Sequence, residues 1–280
     1  MEAVYHNIAF KISRLITRSY STSFSLGISV FSPTYRDAIY AIYGFVRLAD
    51  EIVDSFHRYE KKLLLDEFRK ETFNAIERKI STNPIINSFQ LAVNKYGIDL
   101  QYIDDFLKSM EMDLSNSYYE PKIYNEYIYG SAEVVGLMCL KVFCYNQSGL
   151  FEELLSPAKS LGSAFQKVNF LRDIKNDLYE RGRIYLPGID TKIKITNEHK
   201  RKLEKDIQAE FSEALTGIKK LPGAVKLGVY SAYLYYQGLF KKIKRSNVEI
   251  LLKKRIRISN WIKLTLFLKS YFQVRIFRTC

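Results

Sequence analysis

The chain has 280 residues, with 43 Lys and Arg against 30 Asp and Glu, a net charge of +13, and 21 Tyr and 18 Phe. That length supports one large core or two modest domains; with no Pro-rich linker, low-complexity stretch or repeat, a single domain over residues 1–280 is expected. Cys139, Cys144 and Cys280 show no metal-ligand spacing and make no disulfide framework, which suits a reducing compartment.

Helical periodicity dominates the chain in order. Ser32-Pro33-Thr34 has the form of a helix start, with Ser at the cap and Pro in the first turn, and the pattern runs over residues 34–55. Further helices are expected at 60–80, 85–95 (stopping near Gly97), 99–117 with Asp99 as cap, and 122–145. Others follow at 157–181, 198–220 (ending before Pro222-Gly223), 224–245 and 260–275. No segment shows strand alternation bounded by hairpin signals, so the fold class is all-α. No apolar run reaches the roughly 18 residues of a spanning helix, and no secretory leader is evident. The expected location is cytoplasmic, soluble or peripheral to the inner face of the membrane.

Two helices share an unusual design. In 34–55, Ile39, Ile42, Phe45, Val46, Ala49, Ile52 and Val53 spread apolar residues around most of the circumference, the pattern of a buried helix. Yet Tyr43, Arg47, Asp50 and Asp54 fall at offsets of four, three and four along one line. In 157–181, Gln166, Asn169, Asp173 and Asp177 repeat that line between apolar flanks. Buried charges require partners or a cation. One reading is a buried salt-bridge network, Arg47 with Asp177 for instance. The other is a metal and phosphate site, in which oxygen ligands hold Mg²⁺ completed by substrate phosphates. Arg47 and Arg172 would then grip the same oxygens. The favoured reading is the second, because two such lines, each with a companion Arg, occur together. If a diphosphate leaves and a carbocation forms, aromatic and apolar walls can shelter it.

These residues resemble a known family. Asp50-Glu-Ile-Val-Asp54 and Asn169-Phe-Leu-Arg-Asp-Ile-Lys-Asn-Asp177 are similar to the two acidic signatures of the squalene/phytoene synthases, which condense prenyl diphosphates head to head. Tyr179-Glu-Arg-Gly-Arg-Ile-Tyr-Leu-Pro187, Tyr20-Ser-Thr-Ser-Phe24 and Tyr127-Ile-Tyr-Gly-Ser-Ala-Glu-Val-Val-Gly136 resemble family segments in matching order, from about residue 15 to 270. The resemblance implies a single-domain isoprenoid (terpenoid) synthase fold, a helical bundle around a central cavity. It implies Mg²⁺ or Mn²⁺ ligation by Asp50, Asp54, Asn169, Asp173 and Asp177, with the four aspartates and Tyr127 catalytic. Ser23, Tyr43, Arg47, Gln166, Arg172 and Tyr236 are its substrate- or diphosphate-binding positions. The implied reaction joins two geranylgeranyl diphosphates into phytoene through a cyclopropyl diphosphate, with no nicotinamide cofactor. Two departures stand out: Thr22 where relatives often carry Lys, and Glu133 where many carry Gly.

Other readings remain at this stage. A relative making a C30 product from farnesyl diphosphate differs only in pocket depth. A non-catalytic assembly factor would be marked by lost acidic ligands, and all five ligand positions are filled. A nucleic-acid binder would explain the positive charge but not two buried acidic lines; no nucleic acid is expected. On Tyr127's helix, Ser131, Val134 and Met138 share its line, and Gly130, Ser131, Ala132 and Gly136 either leave room for a polyprenyl chain or permit close helix packing. The terminal stretch 260–278 mixes bulky apolars with cations, as membrane-surface helices do; packing on the core is the alternative.

Overall fold

The computed structural model describes residues 1–115, 118–189, 195–276 and 280, without the side chain of Ser23. Its described residues are helical throughout, apart from loops and one isolated bridge between Tyr118 and Ile184. The first two helices, α1 (Glu2–Tyr20) and α2 (Thr22–Ser29), lie where no helix was expected. The reason is legible in α1. Its buried face is Ala9, Ser13 and Thr17, small or hydroxylated residues rather than large apolar ones. Ser13 bonds Ser88 at 2.7 Å, and a methyl group added at Gly44 would come within 2.9 Å of Ser13 Oγ. The helix is held by close approach, which apolar periodicity does not record.

α3 (Pro33–Asp54) carries Pro at its first turn as expected, although the Ser32 hydroxyl makes no cap bond. α4 (Lys61–Arg78) and α5 (Pro84–Tyr96) follow; Asn83 caps α5 by accepting from the amides of Ile85 and Ile86, and Gly97 closes it at φ 61°. The Asp99 carboxylate accepts from the Gln101 amide at 2.9 Å, just before α6 (Leu100–Ser115). The expected helix 99–117 runs past Ser115 into residues outside those described.

The expected helix 122–145 is two helices, α7 (Pro121–Ile128) and α8 (Val134–Phe143), joined by a π-helical turn, Tyr129–Glu133. α9 (Leu150–Tyr179) begins earlier than expected and runs through Pro157. Proline inside a helix removes a hydrogen bond and crowds the preceding turn, so it normally reads as a start. Here the ring seats on α10 (Asn197–Lys220) at Gly217, where any side chain would collide with it. The last helices are α11 (Gly223–Lys244), the unforeseen α12 (Val248–Lys253) and α13 (Asn260–Tyr271), continued by a π-turn over Phe272–Ile276.

α3 sits in the middle and is wrapped nearly all round. On one side Phe45 stacks on Phe89 at 3.8 Å and lies beside Phe68 and Phe106. Its polar line faces α9 across a cavity. α9 packs against α8, α10 and α11 and forms the opposite wall. A smaller aromatic cluster of Tyr119, Tyr124, Tyr127, Phe170 and Tyr185 closes one side.

Candidate active site

Between α3 and α9 lies a cavity of about 680 Å³. Its polar end is lined by Tyr43, Arg47, Asp50 and Asp54 from α3 and by Gln166, Asn169, Arg172, Asp173 and Asp177 from α9. Tyr127 and Tyr236 line it too. Every expected site residue is therefore brought together, except Ser23, whose side chain lies outside the described residues. The helical repeat explains the alignment: residues three and four apart return to one face, and the apolar flanks of both helices turn that face inward.

The carboxylates are crowded and already paired. Arg181 bonds Asp177 at 2.7 Å and reaches Asp54 at 3.3 Å, tying the two acidic lines together. Arg183 donates to Asp54 at 2.8 Å. Arg172 and Arg255 both hold Asp173 at 2.5 Å. Arg47 pairs with Glu51, lies 3.7 Å from Asp50, and places its guanidinium over the Tyr20 ring. The ion-pair network expected as an alternative exists, but through these partners rather than between Arg47 and Asp177. Asp50 and Asp177 are each pushed up to about 7, first by burial and then by neighbouring carboxylates.

That crowding tests the fit of a divalent cation. The donor set is all oxygen, the preference of Mg²⁺ and Mn²⁺, and burial, with neighbouring carboxylates, disfavours the charged form of two of the carboxyls. Among the described residues no three acidic, His or Cys side chains form a closed metal cluster, so oxygens from a bound anion would have to complete one. Arg47 Nε and Ser131 Oγ, both on cavity-lining residues, are buried with no hydrogen-bond partner. The donors suit a cation shared with a phosphate group.

In the absence of divalent cations, Asp50→Asn is expected to stabilise the fold at pH 8. The Asp50 carboxyl lies near 7, above its ordinary 3.8, so the native state holds the proton more tightly than the unfolded chain. Its contribution is fully present below about pH 4 and is lost as pH rises through 7. Because Asp50 keeps a third of its side-chain surface accessible, the gain is discounted to about 1–2 kcal/mol. Urea unfolding at pH 4 and pH 8 measures it. Destabilisation at pH 8 would mean that the Arg47 pair outweighs desolvation.

Several residues of the site escaped sequence reasoning. Asp113 of α6 lines the cavity and accepts from three tyrosines: Tyr119 at 2.8 Å, Tyr185 at 2.7 Å and Tyr127 at 2.9 Å. Burial pushes its carboxyl up, and burial likewise raises the Tyr127 hydroxyl far above its ordinary range. The available signal was an acid on the apolar face Ile103, Phe106, Leu107 and Met110, the same signature that marked Asp50. Arg181, Arg183 and Tyr185 lie in the stretch after the second acidic line. Arg255 belongs to a run of cations, Lys253-Lys-Arg-Ile-Arg257, that resembles ordinary solvated surface; this one, though still exposed, reaches Asp173 and lines the cavity. Lys200, from another such run, is buried against Glu204, while Lys192 and Lys194 lie outside the described residues.

Beyond the polar end the cavity is apolar. Phe165 stacks on Tyr236 at 3.9 Å, and Tyr236 donates to Asn169 at 3.2 Å. Tyr43, raised to about 12 by burial and then by Tyr236 and Asp50, lies beside Phe24. Asn169 donates to Gln166 at 3.5 Å. The expected line of Tyr127, Ser131, Val134 and Met138 is corrected: Val134 and Met138 are fully buried away from the cavity, and Val135 and Cys139 line it instead. A π-turn inserts one extra residue, rotating all that follows by about a third of a turn. The small residues divide their work. Gly130 approaches α6 too closely for a side chain, while Ser131, Ala132 and Gly136 line the cavity.

The fold is found elsewhere. The structure superposes on a dehydrosqualene synthase solved with a ligand at a TM-score of 0.80, with 21% identity, covering 96% of this chain and 98% of that one. A squalene synthase from Alicyclobacillus acidocaldarius gives 0.74 at 21% identity, covering 86% and 95%. The architecture is the all-α isoprenoid synthase fold. In sequence, the chain is 28% identical to a phytoene synthase of Daucus carota over 85% of its own length and 64% of the relative's, and 27% identical to one from Arthrospira platensis over 91% and 90%. It spans 59 to 64% of three plant relatives that it matches and 80% of another, from Solanum lycopersicum. Residues 17–262 match the squalene/phytoene synthase family model, and the chain belongs to that family.

Proposed function

We propose that this chain is a prenyltransferase that joins two geranylgeranyl diphosphates head to head, releasing two diphosphates and two protons to form phytoene. The observation that carries this reading is one cavity with an acid- and arginine-lined end and an extended apolar interior. Along α9 the lining runs from Asp177 to Leu154, about 35 Å of helix, and the part from Phe165 to Leu154 is apolar. That length favours long prenyl tails.

Asp50, Asp54, Asn169, Asp173 and Asp177 would hold Mg²⁺ or Mn²⁺, which when bound neutralises charge on the departing diphosphate. Arg47, Arg172 and Arg255 supply planar donors for diphosphate oxygens. Departure of the first diphosphate leaves an allylic cation, and the double bond of the second substrate attacks it. Loss of a proton closes a cyclopropane. The second diphosphate then leaves, the ring rearranges, and another proton is lost. The π-faces of Tyr43, Phe165 and Tyr236 favour positive charge, and the apolar walls keep water from it. Tyr127, fixed by Asp113 on the cavity wall, is placed to accept a hydrogen bond or pass a proton. The balance requires no reductant.

Incubation with labelled geranylgeranyl diphosphate, Mg²⁺ and no nicotinamide should yield a C40 hydrocarbon, with farnesyl diphosphate turned over much more slowly. Preferential use of farnesyl diphosphate would replace the C40 reading with a C30 one. No diphosphate release from either would reject the prenyltransferase reading.

A further inference from the structure

α13 turns only part of its apolar surface to the core: Leu266, with Val274 of the π-turn that follows, packs inward. The same side carries polar contacts: Ser270 bonds Ser231 at 2.6 Å and Gln273 accepts from Tyr230 at 3.0 Å, while at the surface Lys263 reaches Thr22 at 3.3 Å. Its outward side carries Trp261, Leu264, Leu268, Tyr271 and Ile276, exposed by 43 to 79%. The order 261, 264, 268 and 271 is one helical stripe. Leu26 of α2, one turn from Thr22, is also exposed. Contiguous apolar surface of this kind marks a binding face.

We propose that this face docks on an anionic lipid bilayer. Charge selects that occupant. From Ile250 to Cys280 the chain carries eight Lys and Arg and no Asp or Glu, and Lys269 and Arg275 are exposed beside the apolar stripe. A second copy of the chain would set like charges against each other, whereas an anionic surface attracts every one. Trp and Leu suit the boundary between headgroups and acyl chains, and the flanking cations suit the phosphates. No helix among the described residues is long and apolar enough to cross a membrane, so the contact is with the surface. Position adds to the argument. Lys263 lies over the ring of Tyr235, which lines the cavity together with Arg255, just ahead of α13. Docking would set that wall of the cavity beside the lipid.

Trp261 is the only tryptophan, so its fluorescence reports on this face directly. Vesicles of phosphatidylglycerol should shift its emission to the blue, acyl-chain bromination should quench it, and the full-length protein should float with them. Phosphatidylcholine vesicles should do neither at the same concentration. Leu264→Gln/Leu268→Gln/Ile276→Gln, all at exposed positions, should leave the melting curve unchanged and weaken partitioning at least about tenfold. Lys269→Glu/Arg275→Glu should weaken it about fivefold or more per removed cation. Flotation with unchanged Trp261 emission would place the contact on another surface and overturn the proposal. So would failure to float, or a blue shift that grows with protein concentration without lipid, the signature of a second copy.

Discussion

Asp173→Ala is expected to lower diphosphate release by about a thousandfold or more, the scale on which removal of a group that stabilises developing oxyanion charge is felt. Asp173 lies at the middle of the α9 acidic line and gathers Arg172 and Arg255 around itself. Its removal takes away a proposed metal oxygen and frees both guanidinium groups from their present position. Chelation with EDTA should abolish release in the parent chain, and either Mg²⁺ or Mn²⁺ should restore it. Helical circular dichroism separates lost chemistry from lost fold, and Asp173→Asn, which keeps the shape, should be nearly as inactive. Release that persists in EDTA, or a folded Asp173→Ala chain within tenfold of the parent, would sink the metal–diphosphate reading.

Asp113→Ala should destabilise the protein by about 3 kcal/mol or more. The carboxylate is the shared acceptor for Tyr119, Tyr127 and Tyr185, and Arg183 lies 3.8 Å away. Alanine would leave three buried hydroxyls without their acceptor and the Arg183 charge with Asp54 alone. Asn restores one acceptor oxygen and adds a donor, so Asp113→Asn should recover part of the loss. Urea titration of the three proteins tests this ordering. A cost below 1 kcal/mol for Asp113→Ala would mean that water replaces the carboxylate without penalty. Because the tyrosine stack of Tyr119, Tyr127 and Tyr185 has ring centroids 4.7 to 5.3 Å apart, losing the carboxylate should also loosen the ring that the proposed reaction uses.

Much of the site was legible because it lies on two regular helices. Asp50 and Asp54 lie four apart, as do Asn169, Asp173 and Asp177, and on a straight helix such spacing is geometry. The same logic would have reached Asp113, an acid on the apolar face of α6. It failed at Val134 and Met138, since one extra residue in the Tyr129–Glu133 turn shifts the phase of everything after it. It failed at α1 as well, where the fully buried positions are Ala9, Ser13 and Thr17, small or hydroxylated residues that do not announce a core face.

Sequence alone determined the helical class, the two acidic lines and, by resemblance, the family, because each depends on residues close together in the chain. Tertiary structure alone decided which charges meet. Arg181 spans Asp177 and Asp54, Arg255 crosses to Asp173, and Arg183 turns away from solvent after Gly182 at φ 65°. A cation on a loop has no periodicity, and whether it is solvated or buried depends on which carboxylate the fold brings within a few ångströms. The same holds for α13, whose mixture of bulky apolar residues and cations suits either a membrane surface or the core, a choice the sequence leaves open. The tertiary structure seats Leu266, Ser270 and Val274 against the body of the protein and leaves Trp261, Leu264 and Leu268 exposed.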